Sequence, residues 1–226
     1  MSTDRPKPKI PRSGSSPERL PAVVPGASPP EPAHRIANAL LDFVSDIPRS
    51  DEHVSAAPAE AARRLAAHAA AKAATAAGGL ALPPGPLGWL TILPEMLAVW
   101  RIQAHLVADI AALHGRSLTL TREQMIWCLF KHTASQAVRD LVVRVGERVV
   151  VRPLALNALQ AVARRIGVRL TERTIAKGAA RWLPVVGALG VAAYAYYDTA
   201  QVAKTAIELF ERPIEIESPE SPESPH

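Results

Sequence analysis

The sequence predicts an all-α fold, a bundle of about six helices with apolar Gly/Pro-rich hairpin segments, between two disordered tails. Apolar residues recur at helical spacing through most of the 226-residue chain. Hydrophobic residues make up 48% of the chain but aromatic residues only 4%, because alanine, a strong helix former, fills many apolar positions. The single cysteine, Cys128, excludes an internal disulfide framework and a cysteine-cluster metal site.

The two tails differ in composition from the rest of the chain. Residues 1–33 hold nine of the 21 prolines, and residues 213–226 hold four prolines, four glutamates and no basic residue. Both segments have too little apolar surface to offset the entropy of ordering them, so we expect them to be disordered. The first also lacks an apolar stretch long enough for a signal peptide, which together with the single thiol predicts a bacterial cytoplasmic protein.

The first half of the central block contains three predicted helices. Apolar residues at helical spacing predict a helix over residues 34–47, and an alanine-rich run predicts a second over residues 57–77. Residues 78–94 are apolar but are interrupted by four prolines and four glycines, so we expect a hairpin there. A regular helix should then run from about Pro94 to Leu113, with Gly115 as its C-terminal cap.

The second half is also predicted to be helical. Thr121 and Gln124 have the spacing of a capping box and should open a long helix towards Val151. Gly167 should close the next helix, and Thr171 should cap the one after it. We therefore predict three further helices, over residues 153–166, 171–182 and 184–210.

Two uncharged segments, residues 78–93 and 182–197, suit either the core or a membrane surface. The prolines of the first and the shortness of the second argue against a spanning helix, which needs ~20 apolar residues. Aromatic residues and glycines in or beside these segments suit both settings: Trp89, Trp100, Trp182, Gly187, Gly190, Tyr194 and Tyr197. Asp198 follows directly, and we expect it to pair with an arginine because a charge beside apolar surface is costly when unpaired.

Basic residues recur every four positions in two stretches of the second half of the chain. In helices they would form two ridges: Arg144, Arg148 and Arg152, and then Arg173, Lys177 and Arg181. Such ridges beside apolar faces suit an anionic bilayer, where each cation contributes about 1 kcal/mol. Nucleic acid would bind the same charge, but no aromatic residue lies between Phe130 and Trp182 to stack on bases, which argues against it.

One polar helix face is the candidate for an enzyme site. Spacing places four residues on a shared arc: Glu95, Arg101, His105 and Asp109. If the fold brought His132 to them, they could bind a metal or share a proton. The same pattern is typical of a solvated helix face, which we favour. The sequence contains no recognisable catalytic motif, and we predict no catalytic residue, cofactor or metal.

A resemblance to a known family links several of these features. The run Gly-Gly-Leu-Ala-Leu-Pro-Pro-Gly-Pro-Leu-Gly-Trp-Leu over residues 78–90 resembles the opening of the EcsC family of bacterial helical proteins, and so does the helix carrying Arg101. That family has a tyrosine where this chain has His114. The apolar segment Trp182–Gly190 is similar to the family's segment before its last helix. The resemblance covers about residues 60–210 and implies a membrane-associated or transport-linked accessory protein without established catalysis.

Taken together, the patterns predict a non-enzymatic accessory protein on the inner face of the cell membrane. It would bind the anionic leaflet, a membrane protein, or both, through its apolar segments and basic ridges. Two alternatives stay open. One is a soluble helical scaffold for a protein partner, and the other is an enzyme with a polar site around Glu95, His105 and Asp109.

Overall fold

The computed structural model describes residues 31–80, 88–177 and 184–216. These residues form seven α-helices: α1 (Glu31–Ser45), α2 (Pro58–Leu80), α3 (Gly88–Leu113), α4 (Arg122–Phe130), α5 (Ser135–Val138), α6 (Leu156–Lys177) and α7 (Pro184–Phe210). Three short strands form one small sheet: β1 (Val142–Val145), β2 (Arg148–Val151) and β3 (Ile214–Ile216). The prediction of an all-α fold is therefore confirmed, with the sheet as an addition to it.

Several helix ends lie where local sequence signals placed them. The backbone N–H of Gln124 donates to Thr121 Oγ1, and the backbone N–H of Thr121 donates to Gln124 Oε1, which completes the capping box of α4. Gly115 has a φ of +70°, and its N–H donates to Ala112 O while that of Arg116 donates to Ala111 O. This is a Schellman motif, in which Gly115 lies two residues beyond Leu113, the last residue of α3.

The core forms where α1, α3 and α4 meet, with α6 and α7 packed around them. Trp100 of α3 is buried, with its ring centroid 6.0 Å from that of Phe43 and 5.3 Å from that of Phe130, edge to face. Other large and fully buried side chains include Leu40, Leu106, Ile110, Met125, Ile126, Leu129 and Ile166. Alanines of α2 add a thinner layer that lets this helix approach α3 and α7 closely.

The predicted long helix from Thr121 to Val151 is wrong. Helix α4 ends at Phe130, the four-residue helix α5 follows, and the chain then forms an antiparallel hairpin in which Val142 pairs with Val151 and Val145 with Arg148. Six valines in this stretch favour extended backbone because β-branched side chains pack well on a pleated surface. Gly146, with a φ of +62°, supplies the left-handed residue that a two-residue hairpin turn requires.

The predicted break between two helices at Gly167 is also wrong. Helix α6 continues through Gly167 to Lys177, and Gly167 is buried. The Thr171 hydroxyl donates to Gly167 O at 2.8 Å, so Thr171 is an interior helical residue rather than an N-cap.

Both predicted tails are shorter than expected where the structure describes them. Helix α1 begins at Glu31, within the predicted segment 1–33. Strand β3 lies within the predicted segment 213–226 and pairs in parallel with β2, Val149 opposite Ile214. The remaining tail residues, and residues 81–87 of the predicted hairpin, lie outside the described residues. Helix α3 begins at Gly88, six residues before the expected Pro94.

Candidate functional site

The long helices α2, α3 and α7 pack side by side. Their directions determine which of their residues lie at the same end of the bundle. Gln103 of α3 bonds to residues 198 and 199 of α7, and further along the ring of His114 lies 6.4 Å from that of Phe210. Helices α3 and α7 are therefore parallel. Ala73 and Ala77, near the end of α2, pack with Ala195, whereas Arg63, nearer the start of α2, lines a groove that extends along α7 to Glu208, so α2 runs antiparallel to both.

This arrangement gathers three uncharged helix segments at one end, which we call the apolar end. It comprises residues 73–80 of α2, 88–100 of α3 and 184–197 of α7. The sequence has no Lys, Arg, Asp or Glu in these segments except Glu95. Glu95 is buried, so no charged side chain of the apolar end is exposed among those described.

Charge begins on all three helices at a common level of the bundle. The first charged residues beyond the apolar end are Lys72 on α2, Arg101 on α3 and Asp198 on α7. Ala73 and Ala195 lie in one cluster with Ile102, and Gln103 bonds to Asp198. Each charged residue is thus within three positions of a shared contact, about 5 Å along a helix. The three first charges therefore lie at about the same level along the bundle, within roughly one helical turn, and this level is the boundary of the apolar end.

Large exposed side chains on α7 mark this boundary and the apolar end beyond it. Tyr194, Tyr196 and Tyr197 are exposed on the last turn before Asp198, Tyr197 to 59%. One turn deeper, Leu189 is 66% exposed and Gly190 is also exposed. Aromatic side chains with a polar tip at the edge of an apolar surface are typical of membrane interfaces.

The apolar end is shorter than a bilayer. The segments of α3 and α7 contain 13 and 14 residues, a rise of roughly 20 Å, and that of α2 contains 8, roughly 12 Å. A hydrocarbon core is about 30 Å thick, or about 15 Å per leaflet, so the α2 segment would end within one leaflet and the other two would pass the bilayer midplane by about 5 Å without crossing the bilayer.

One helical stretch among the described residues, Leu93–Leu113, is long and apolar enough to cross a membrane. More than half of it is buried within the protein, where Leu106, Val107 and Ile110 belong to the core. In this fold it serves as the central core helix.

The residues of the predicted polar arc on α3 have different surroundings. Arg101 and His105 are exposed, whereas Glu95 is buried. Asp109 accepts a hydrogen bond at 2.6 Å from the Ser50 hydroxyl in the α1–α2 connection. Within the described residues, no three His, Cys, Asp or Glu side chains are grouped to hold a metal ion. The convergence with His132 that an enzyme site needed is not present.

His132 instead joins a polar network that the sequence analysis did not predict. His132 Nε2 lies 2.7 Å from Asp198 Oδ1, and Gln103 Nε2 donates to Asp198 Oδ2 at 2.8 Å and to Thr199 Oγ1 at 3.2 Å. Among the described side chains, Asp198 pairs with His132 and not with one of the arginines that the sequence offered as candidates. Gln103 and Thr199 are buried, and the network ties α3 and α7 to the residues after α4. The network gives the Asp198 carboxylate hydrogen-bond partners at the edge of the apolar end.

The first predicted basic ridge does not exist as a ridge. Arg144 pairs with Val149 on one face of the hairpin, while Arg148 pairs with Val145 on the opposite face. Arg148 Nη1 forms an ion pair with Glu215 Oε1 at 2.5 Å, and Arg152 follows β2. The register across the two-residue turn, continued by the hydrogen bond from Arg152 N to Leu141 O, puts Arg148 and Arg152 on one face of the hairpin and Arg144 on the other. The three exposed arginines therefore do not form one ridge.

The second ridge retains two residues on one helix. Arg173 and Lys177 belong to the last two turns of α6, and their side chains are not among those described. Arg181 and Trp182 lie outside the described residues. Trp89 lies in α3 and Gly187 lies in α7, but only their backbone is described. Lys177 is seven positions before Pro184, so α6 ends within about 25 Å of the apolar end.

Cys128 is buried in the core, near the end of α4. Burial raises the pKa of its thiol far above the ordinary range, and the nearby Lys131 only partly offsets this. Cys128 is thus a core residue, without the thiolate character that a nucleophile needs.

No protein-family model, curated protein or solved structure matches this chain. The resemblance to the EcsC family therefore stays a prediction. The fold and the apolar end are the basis on which function is proposed.

Proposed function

We propose that this protein is a peripheral membrane protein that inserts the apolar end into the inner leaflet of an anionic membrane. The observation that carries the proposal is the common level at which charge begins on α2, α3 and α7. A soluble helical bundle has no need to place its first charges at one level, whereas the boundary between headgroups and hydrocarbon imposes one. The EcsC resemblance implies the same association.

Burial of exposed apolar groups supplies the main free energy of insertion. Leu189 projects from the apolar end, and moving one such side chain out of water contributes about 1.5–3 kcal/mol. The tyrosines of α7 would stay at the headgroup level, with their rings in the apolar phase and their hydroxyls in water. Asp198 would reach the interface already paired with His132 and Gln103, which lowers the cost of placing its carboxylate there.

Basic residues next to the apolar end favour anionic lipid. Lys72 and Arg101 are exposed at the boundary, and Arg173, Lys177 and Arg181 precede α7 in the chain. Each cation held near an anionic surface contributes about 1 kcal/mol, and salt weakens this contribution within a Debye length. The proposal therefore includes a preference for anionic headgroups, which declines at high salt.

The experiment compares flotation of the purified full chain with phosphatidylcholine vesicles and with vesicles that also contain phosphatidylglycerol. We expect binding to the anionic vesicles at low salt, and a loss of about tenfold or more for Leu189→Glu, which places a charge in the hydrocarbon. The matched control is Leu118→Glu, since Leu118 is fully exposed beyond the opposite end of α3. Equal binding by the two variants, or no binding by the wild type, would contradict the proposal.

A further inference from the structure

Helices α2 and α7 leave a groove between them on the outside of the bundle. It has a volume of about 360 Å³ and a floor of small side chains that includes Ala67, Ala70 and Ala200. Tyr196, which belongs to the boundary of the apolar end, lines one end of the groove. Glu208, also in its lining, lies 12 residues further along α7, so the groove runs roughly 18 Å from that boundary.

Two basic side chains along this groove can form ion pairs with a bound partner. Arg63 and Lys204 line it, and neither has an ion-pair partner within the part of the chain that the structure describes. The acidic residue of the lining, Glu208, already pairs with Lys131 at 3.3 Å. A second copy of this chain docked through the same face would bring like charges together, so the groove favours an acidic occupant.

The shape of the groove favours a helix. Two antiparallel helices with an alanine floor allow a third helix to approach to about 8 Å, and 18 Å accommodates roughly twelve helical residues. If the apolar end lies in the membrane, the groove begins at the headgroups and leads away from the bilayer. A helix that continues a transmembrane segment into the aqueous phase follows that same path.

We infer that the α2–α7 groove binds the juxtamembrane helix of an integral membrane protein. The helix packs a small or aliphatic face on the alanines and pairs acidic side chains with Arg63 and Lys204. The inference rests on the proposed function, because the apolar end is what aligns the groove with the bilayer. The protein would then be an adaptor that binds both the membrane surface and a protein that emerges from the membrane.

The test uses a synthetic peptide of known sequence rather than an unidentified partner. The peptide has one transmembrane segment followed by an alanine-rich helix with two glutamates one turn apart, and a matched peptide carries lysines instead. Each is placed in phosphatidylcholine vesicles, where anionic lipid makes no contribution, and flotation of the full chain is measured. We expect at least tenfold tighter binding to vesicles with the glutamate peptide than to those with the lysine peptide.

Two variants show whether the groove is responsible. The double variant Arg63→Glu/Lys204→Glu should reverse the preference, so that it binds the lysine peptide at least tenfold more tightly than the glutamate peptide. Ala67→Trp should fill the groove and remove binding to the glutamate peptide, whereas Ala71→Trp, also on the exposed side of α2 but outside the groove, should not. Circular dichroism checks that both tryptophan variants fold.

The outcomes separate this inference from the proposed function. Equal binding to the two peptides, or a preference that the double charge variant does not reverse, overturns the groove as a helix site. Binding of Ala67→Trp to peptide-free anionic vesicles should stay within twofold of wild type, because the apolar end is unchanged. Loss of anionic-vesicle binding by Leu189→Glu therefore tests insertion, and loss of peptide binding by Ala67→Trp tests the groove.

Discussion

Gly167 of α6 lies directly against the main chain of α1, so that a β-carbon at position 167 would be 2.4 Å from the carbonyl oxygen of Ala33. The same β-carbon would be 3.3 Å from the backbone nitrogen of Ala37, on the next turn of α1. The two helices therefore cross at the one residue type that leaves room for backbone-to-backbone contact. Backbone atoms cannot move aside as the end of a flexible side chain can.

Replacement of this glycine should destabilise the fold. Alanine is a better helix former than glycine by about 1 kcal/mol, but at position 167 the forced separation of α1 and α6 should cost about 1–3 kcal/mol net. We expect Gly167→Ala to lower the free energy of unfolding in urea. Gly190→Ala is the control, since no atom lies within 4 Å of its β-carbon position and helix propensity alone should stabilise it. A Gly167→Ala protein as stable as wild type would contradict the close backbone contact between α1 and α6 at Gly167.

The helix ends that the sequence predicts correctly depend on neighbouring residues alone. Pro184 opens α7, Thr121 with Gln124 caps α4, and Gly115 ends α3, each through local backbone chemistry. The same local rule predicts a helix end at Gly167, and there the prediction is wrong. The role of Gly167 is set by Ala33, more than a hundred residues away, and no local signal distinguishes a glycine that ends a helix from one that admits a neighbour.

The hairpin shows a different source of error. Arginines at four-residue intervals favour a helical ridge over Arg144–Arg152, although residues 142–151 contain three valines on each side of Gly146-Glu147. Two valine-rich runs separated by Gly-Glu are a hairpin signal that the charge pattern obscured. Periodicity of a few charged residues is weaker evidence than β-branched composition over the whole stretch.

The apolar end could be predicted only in part. Its uncharged segments and tyrosines are visible in the sequence. The common level of Lys72, Arg101 and Asp198 depends on how three helices align, which is fixed by contacts such as Gln103 to Asp198. The exposure of Leu189 likewise follows from which side of α7 the other helices cover, and hydrophobic composition does not reveal it.

Cys128 should be chemically inert in the folded protein. Burial raises the pKa of its thiol, so the thiol stays protonated and inaccessible across the neutral range. We expect reaction with a thiol reagent to proceed at the rate of unfolding and to show little dependence on pH between about 7 and 9, where an exposed thiol of ordinary pKa would speed up about tenfold or more. Ser135→Cys provides the control, because position 135 is exposed and its thiol should react at once. Rapid reaction of Cys128 in native conditions would show that α4 opens readily.

The His132–Asp198 pair should contribute more to stability than the neighbouring Lys131–Glu208 pair. Both join α7 to the residues at the end of α4, but His132 and Asp198 are largely buried and share a network with Gln103, whereas Lys131 and Glu208 are exposed. In double-mutant cycles with alanine, measured by urea denaturation, we expect a coupling of about 1.5–3 kcal/mol for the first pair. Water screens the second, so its coupling should be about 0.2–1 kcal/mol. Equal couplings would mean that water reaches Asp198 as freely as it reaches Glu208, and the polar network would not hold α3 and α7 together at the boundary of the apolar end.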